Sequence, residues 1–399
     1  MEKNSISTIE IKRLLISHGI FTAARVFFEF FLNVLIWKQT GDFALIALFN
    51  IAYLLLHNIT FHVFAVIVKK GQVHLPRILA LLGFTFTYLF IFFMKENIIN
   101  YIIPIGIVIG FFNGMYWISY QILRFDLTNR ENRGNYSGLE QGIGILVDII
   151  MPVLGGWIVV ANFLGNGYPN LFLFGTVFFL ISMIIGNIKF PIHEVPSFHF
   201  RKTLAIVWKD KNIMKSMWGY TLGSFGRSGA LVKLILPLII FNALNNELKL
   251  GGWLSFFSVF TIISSYIFGK FVDYKHYNIS LFWGGTFYFL LIVMILIFPY
   301  FAVYLIFGAL IKVTTIAINI PRSVISENLI RSLPDSTHNR IEYIVIREWF
   351  SIGLGRVLSF VALFAVVGLE GFHMKILIFT VAIIALLEMF FIKSIKWRT

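Results

Sequence analysis

Cysteine is absent from all 399 residues, and charged side chains make up only 13% of them. The first absence excludes a disulfide framework and any thiolate metal or redox centre. The second excludes a water-soluble globule, which carries charged residues at about 25% of its length. No Gly-Lys-Ser/Thr phosphate loop occurs, so nothing points to an ATP-driven pump. What the chain has instead is apolar: 58% hydrophobic residues, 45 Phe and a mean hydropathy of +0.84. These values predict an all-α polytopic membrane protein. The polar start, MEKNSISTIEIKR, lacks a small-residue cleavage site, so the first apolar run is expected to stay as a span.

Apolar runs long enough to cross a bilayer predict about twelve spans. They lie near 14–37, 43–68, 76–94, 98–123, 136–160, 168–189, 213–241, 250–269, 279–299, 301–328, 343–368 and 372–392. The longest break contains Pro191, Pro196 and a basic cluster. It divides the chain into a six-helix bundle over 1–190, a cytoplasmic linker over 191–212 and a second six-helix bundle over 213–399. The net charge of +14 is sorted by side. With the N-terminus inside, the outer loops hold only Lys38, Lys95, Lys249 and Lys375, while the inner segments hold the remaining loop cations, among them Lys69, Lys70, Arg77, Arg201, Lys202, Lys209 and Lys211. That asymmetry sets topology and puts both termini in the cytoplasm. The basic balance is therefore no sign of a nucleic-acid partner.

The halves repeat one another. RFDLTNRENRGNY follows the fourth run, with Arg124, Arg133 and Tyr136, and RSLPDSTHNRIEY follows the tenth, with Arg331, Arg340 and Tyr343 at the same spacing. Parallel six-span repeats of this kind are one of the transporter architectures. The stretch NRGNYSGLEQGIGILVDIIMPVLGGWIV, with Pro152-x-x-Gly155-Gly156, resembles the passage into the fifth span of the major facilitator superfamily. Its Pro-x-x-Gly-Gly piece is similar to the drug-antiporter motif, although Met151 stands where that motif prefers Gly. The loop VKKGQVHLPR departs from the family's Gly-x-x-x-Asp-Arg pattern, with Lys69 and Lys70 where Asp-Arg is expected, whereas Gly269-x-x-x-Asp273 keeps part of it. FFNGMYWISYQILRFDLT and WKQTGDFALIALFN resemble facilitator members of Gram-positive bacteria. The resemblance implies a facilitator fold in a bacterial plasma membrane, with spans one, four, seven and ten around a central cavity.

Charge placement points the same way. The third, sixth and ninth runs have none in their apolar cores, and in the twelfth Glu388 is expected to snorkel to the inner end. Ionisable residues at bilayer depth are costly and face a protein interior or a cavity. Here they are Arg25 and Glu29 in the first span, Glu140 and Asp148 in the fifth and Arg227 and Lys233 in the seventh. Lys312 follows in the tenth, and Arg347, Glu348 and Arg356 in the eleventh. Arg25 and Glu29 are one helical turn apart and can pair. Arg227 has no acid on its own span, so it needs a ligand anion or a salt bridge across the halves to Glu29 or Asp148. The planar guanidinium suits phosphate or carboxylate, and paired arginines on the first and seventh spans resemble the family's organophosphate antiporters.

The expected substrate site is Arg25, Glu29, Arg227 and Lys312 with Tyr116 and Trp117, although aromatics in an apolar span more often simply pack or anchor the interface. Lys233, on another face than Arg227, is expected at the outer mouth. Asp148 and Glu29 are candidates for proton coupling. Arg133, Glu140, Asp273, Arg340, Arg347 and Glu348 are expected at a cytoplasmic gate, with Glu140 pairing to Arg340, Arg347 or Glu348. His57 and His62 lie five apart with no carboxylate nearby in sequence, which suits interhelical hydrogen bonds better than a metal. No metal site and no cofactor are expected. The composite expectation is a monomeric secondary transporter of a small anionic or zwitterionic organic solute, embedded in membrane lipid and coupled to protons or exchange. The alternatives are a proton-coupled multidrug antiporter, a lipid-modifying membrane enzyme and a non-transporting sensor.

Overall fold

A computed structural model describes residues 8–128, 133–162, 167–187, 198–333, 339–369 and 371–395. Among them there is no strand, and twelve helices are long and apolar enough to cross a membrane. They run Ile9–Thr40, Phe43–Lys69, His74–Met94, Asn97–Leu127, Asn135–Ala161 and Gly167–Ile185, then Lys211–Leu244, Glu247–Phe271, Tyr277–Ile297, Phe301–Ile330, Arg340–Val366 and Gly371–Lys393. A helix satisfies its own backbone groups where no water can reach them, so each apolar run becomes one. Turns between them carry the local signals expected of their sequence. Gly41 closes the first span in the left-handed region, and the Asp42 side chain caps the second by accepting from the Ala44 N–H. Asp210 caps the seventh span by accepting from Asn212 and Ile213.

The packing repeats with an offset of six spans. The second span lies on the fourth as the eighth lies on the tenth, and the third lies on the sixth as the ninth lies on the twelfth. The first meets the fifth and sixth as the seventh meets the eleventh and twelfth. Small residues allow the closest of these contacts, as membrane helices require when apolar surfaces alone give no driving force. A Cβ on Gly110 would stand 2.3 Å from the Tyr53 carbonyl oxygen, and one on Gly114 would stand 2.3 Å from that of His57. The two halves touch along two seams, the fifth span on the eighth and the second on the eleventh.

Among the described residues three spans carry π-helical segments. The first becomes a π-helix over Phe27–Leu32, the seventh over Leu231–Ile235 and the eleventh over Trp349–Arg356. Each π-segment carries a single charge: Glu29, Lys233 and Arg356 respectively. Such turns gather at functional sites.

Within the break before the seventh span, Phe200–Lys209 form a helix that buries Thr203 and Val207 and exposes Arg201, Lys202, Trp208 and Lys209. This end of the bundle is termed the linker face below.

Candidate functional site

The π-segments surround a chamber with two lobes. The larger, about 310 Å³, is lined by Thr22, Arg25, Glu29, Asp148, Lys233 and Thr261 among others. The smaller, about 60 Å³, is lined by Glu29, Asn33, Asn50, Tyr53, Lys233 and Arg356 among others. Glu29 and Lys233 belong to both. The Arg25 Nη1 lies 3.1 Å from the Glu29 Oε1, and its guanidinium stands over the Trp117 ring at 5.2 Å. Asp148, Lys233 and Arg356 make no ion pair among the described residues. Lys312 is within electrostatic range of Asp148 and Lys233. Lys312 itself lines neither lobe, so the chamber wall gathers three cations, Arg25, Lys233 and Arg356, against two carboxylates, Glu29 and Asp148. Such a surplus in a low-dielectric interior attracts negative charge.

Several expected site residues lie elsewhere. Arg227 does not reach the chamber or cross the halves. It is bound to Glu388 of the twelfth span, with side chains 2% and 1% exposed, and donates to Asn319 at 2.9 Å. Arg322 shares the same carboxylate at 3.4 Å and stands over the Tyr220 ring. Glu388 therefore does not snorkel; the buried Arg227 and the half-buried Arg322 hold it inside the second half. Tyr116 is fully buried in the first half, stacked on Phe21 and hydrogen-bonded to His18 Nδ1 at 3.1 Å. It packs and lines neither lobe. Lys233 moves the other way, from an expected outer mouth to the centre of the chamber. It does lie on another face than Arg227, as expected; the helix breaks over Arg227–Gly229 and then widens into the π-segment that carries Lys233 into the chamber wall.

The residues expected at the linker face pair differently from the expectation. Glu140 accepts from the Tyr120 hydroxyl at 2.6 Å and pairs with Arg124 at 3.3 Å, both in its own half. Arg340 reaches Asp126, Arg347 donates to Gln121 at 3.2 Å, and Glu348 meets His57 at 3.2 Å, each across the halves. His57 therefore does have a carboxylate beside it, and Asn113 bonds its other ring nitrogen at 2.7 Å. His62 accepts from the Trp349 indole. Asp273 is exposed and bonds only locally, to His276 at 2.7 Å and to the Lys275 N–H. The Arg133 side chain lies outside the described residues.

One cross-half pair had no counterpart in the sequence reading. Lys69 of the second span binds Glu342 of the eleventh, with side chains 2% and 0% exposed. Glu342 also accepts from the His199 backbone N–H, so the segment leading into the linker helix sits on this pair. At the opposite face Lys38 binds Glu247 at 2.8 Å, Tyr168 donates to the same carboxylate at 2.9 Å, and the Trp37 indole donates to Asn242 at 2.6 Å. The chamber is thus bounded by polar closures toward both faces. Among the described residues no three His, Asp or Glu side chains come together as a metal site.

Known proteins share this arrangement. The uncharacterized protein YqgE of Bacillus subtilis is 23% identical over 372 residues, covering 92% of this chain and 86% of that protein. A bacterial homologue of the iron transporter ferroportin in an inward-facing state superposes with a TM-score of 0.67 at 14% identity, covering 97% of this chain and all of that one. The human organic anion transporter MFSD10 (TETRAN) gives 0.68 at 12% identity, covering 96% and 99%. At these identities the two structures speak to the fold alone. The profile of the Major Facilitator Superfamily matches residues 14–334, most of the chain. With twelve spans in two six-helix repeats around a polar chamber, the chain belongs to the Major Facilitator Superfamily, a family of membrane transporters.

Proposed function

We propose that the protein carries a small organic anion, or a zwitterion with surplus negative charge, by alternating access. The observation that supports this most is the cation surplus around the chamber, with Lys233 and Arg356 on π-segments and free of ion pairs among the described residues. The positive loop charges support the linker face as cytoplasmic, and the Bacillus subtilis relative supports the plasma membrane of a bacterium as its location. In the cycle, the anion engages Lys233 and Arg25, and the halves rock about it while the Lys69–Glu342 and Lys38–Glu247 closures alternate. Asp148 is the carboxylate best placed to take and release a proton, being in the chamber without a salt bridge. A multidrug antiporter for cationic compounds fits the same chamber less well, because its acids are outnumbered.

The test is a panel of organic anions, cations and zwitterions screened by thermal stabilisation of the purified protein, since a ligand raises stability by mass action. Flux in proteoliposomes follows for whatever binds. Anions are expected to stabilise the protein. Lys233→Met should weaken them about 10- to 100-fold, as for loss of one charge-assisted hydrogen bond. Stabilisation by cations alone, or an unchanged affinity in Lys233→Met, would overturn the reading.

A further inference from the structure

The two seams between the halves are unequal. The second and eleventh spans are joined down to the linker face, by Asn58 against Gly353, His57 against Glu348 and Lys69 against Glu342. The fifth and eighth spans are joined only in the half nearer the opposite face. There a Cβ on Gly156 would stand 2.4 Å from the Glu247 carbonyl oxygen, one on Gly251 would stand 2.1 Å from that of Pro152, and the Ser255 hydroxyl donates to Ile149. Toward the linker face the larger lobe lies between the two helices, and a Cβ added at Gly138, Gly142 or Gly269 would meet nothing within 4 Å.

The larger lobe emerges in that gap, between Gln141 and Asp148 on the fifth span and Thr261 and Ser265 on the eighth. The straight path from chamber to linker face is crossed by Arg347–Gln121 and Arg340–Asp126. The opening that remains is sideways, at a depth where the surrounding medium is hydrocarbon. Its flanks suit that medium, since Leu139, Leu146, Ile262 and Tyr266 are all exposed. Its floor does not, because Asp148 is exposed there too. A carboxylate facing acyl chains is costly, so the gap must hold something polar on its inner side and apolar on its outer side.

The geometry points to a lateral slit that admits a single-chain anionic amphiphile from the leaflet on the linker side. Its head group enters the chamber against Lys233 and Arg25, and its tail stays in the bilayer between the fifth and eighth spans. The inference rests on the anion reading above and narrows it from organic anions in general to those carrying a tail. The larger lobe has room for about ten waters, which is a head group and not a whole lipid.

The test compares dodecyl phosphate with methyl phosphate, binding to the full chain in phosphatidylcholine nanodiscs. The variants are Gly142→Trp, which fills the slit outside the chamber lining, and Lys233→Met. A Cβ at Gly142 would stand in open space, so the added side chain starts outside the packed interior. Dodecyl phosphate is expected to bind at least about 10-fold tighter than methyl phosphate, the tail adding apolar burial. Gly142→Trp should remove most of that advantage while methyl phosphate binds as before, and Lys233→Met should weaken both probes. Equal binding of the two probes, or a Gly142→Trp variant that keeps the full advantage of the tail or weakens both probes alike, overturns the slit and leaves the anion reading standing. If neither probe binds, the anion reading falls and the slit with it.

Discussion

Replacing Glu342 by Gln should spring open the seam between the second and eleventh spans. Lys69 and Glu342 come from opposite halves and are almost wholly buried, at 2% and 0% exposure. Removing one partner of such a pair takes away the buried countercharge of the other, a loss of roughly 3–5 kcal/mol. In the state where the halves separate on the linker side, Lys69 gains water, so the penalty falls on the closed state alone. At 1.4 kcal/mol per decade this shifts the equilibrium toward opening by about 10²–10³-fold. The cysteine-free chain makes the assay simple. Asn58, buried against Gly353 in the seam, is replaced by Cys and labelled with a maleimide. Labelling should accelerate by about two orders of magnitude in Glu342→Gln and fall back toward the parent rate when Lys69→Met is added, because the double variant buries no unpaired charge. A labelling rate indifferent to Glu342→Gln, in protein that still melts cooperatively, would refute the assignment of this pair as a closure.

Two further perturbations probe the parts of the fold that frame the chamber. Arg227→Met leaves Glu388 to Arg322 alone and should lower the melting temperature through a loss of about 3 kcal/mol, while anion affinity stays within about two-fold; a large loss of affinity at unchanged stability would return Arg227 to the binding site. Gly251→Val places a side chain against the Pro152 carbonyl and should part the fifth and eighth spans at the opposite face, speeding maleimide labelling of an Ile36→Cys reporter, buried in the parent. No change in labelling would show that this close approach does not hold the closure.

The spans could be read from the sequence because hydrocarbon imposes length and apolarity on any helix that crosses it. The repeat could be read from Arg124, Arg133 and Tyr136 and their echoes at Arg331, Arg340 and Tyr343. Depth is a one-dimensional property, and sequence position reports it well. Direction around the helix axis is another matter. Arg227 and Glu388 are separated by 161 residues, and nothing in their local patterns announces the pair. Glu388 looked free to reach the interface because only its depth could be judged. Lys233 was set on the right face but at the outer mouth, because the break at Arg227–Gly229 and the π-segment after it, which place it in the chamber wall, leave no mark in the sequence. Lys69 and Lys70 read as departures from a family loop pattern, and only the folded chain puts Lys69 against Glu342. Arg25 with Glu29 was legible for the opposite reason: the two stand four positions apart on one span, close enough to meet despite the change of winding at Phe27.

A π-segment is, in effect, one surplus residue in an otherwise ordinary helix. The wide turn absorbs the rotation of about 100° that an extra residue would otherwise impose. Deleting a single residue from Phe27–Leu32 should therefore leave Trp37 and Lys38 facing Asn242 and Glu247, with only the wall of the chamber rewound. The regular winding from Asn33 onward has no such slack. A deletion between Asn33 and Trp37 should swing both side chains off their partners, so two deletions a few positions apart should strike opposite ends of the same helix.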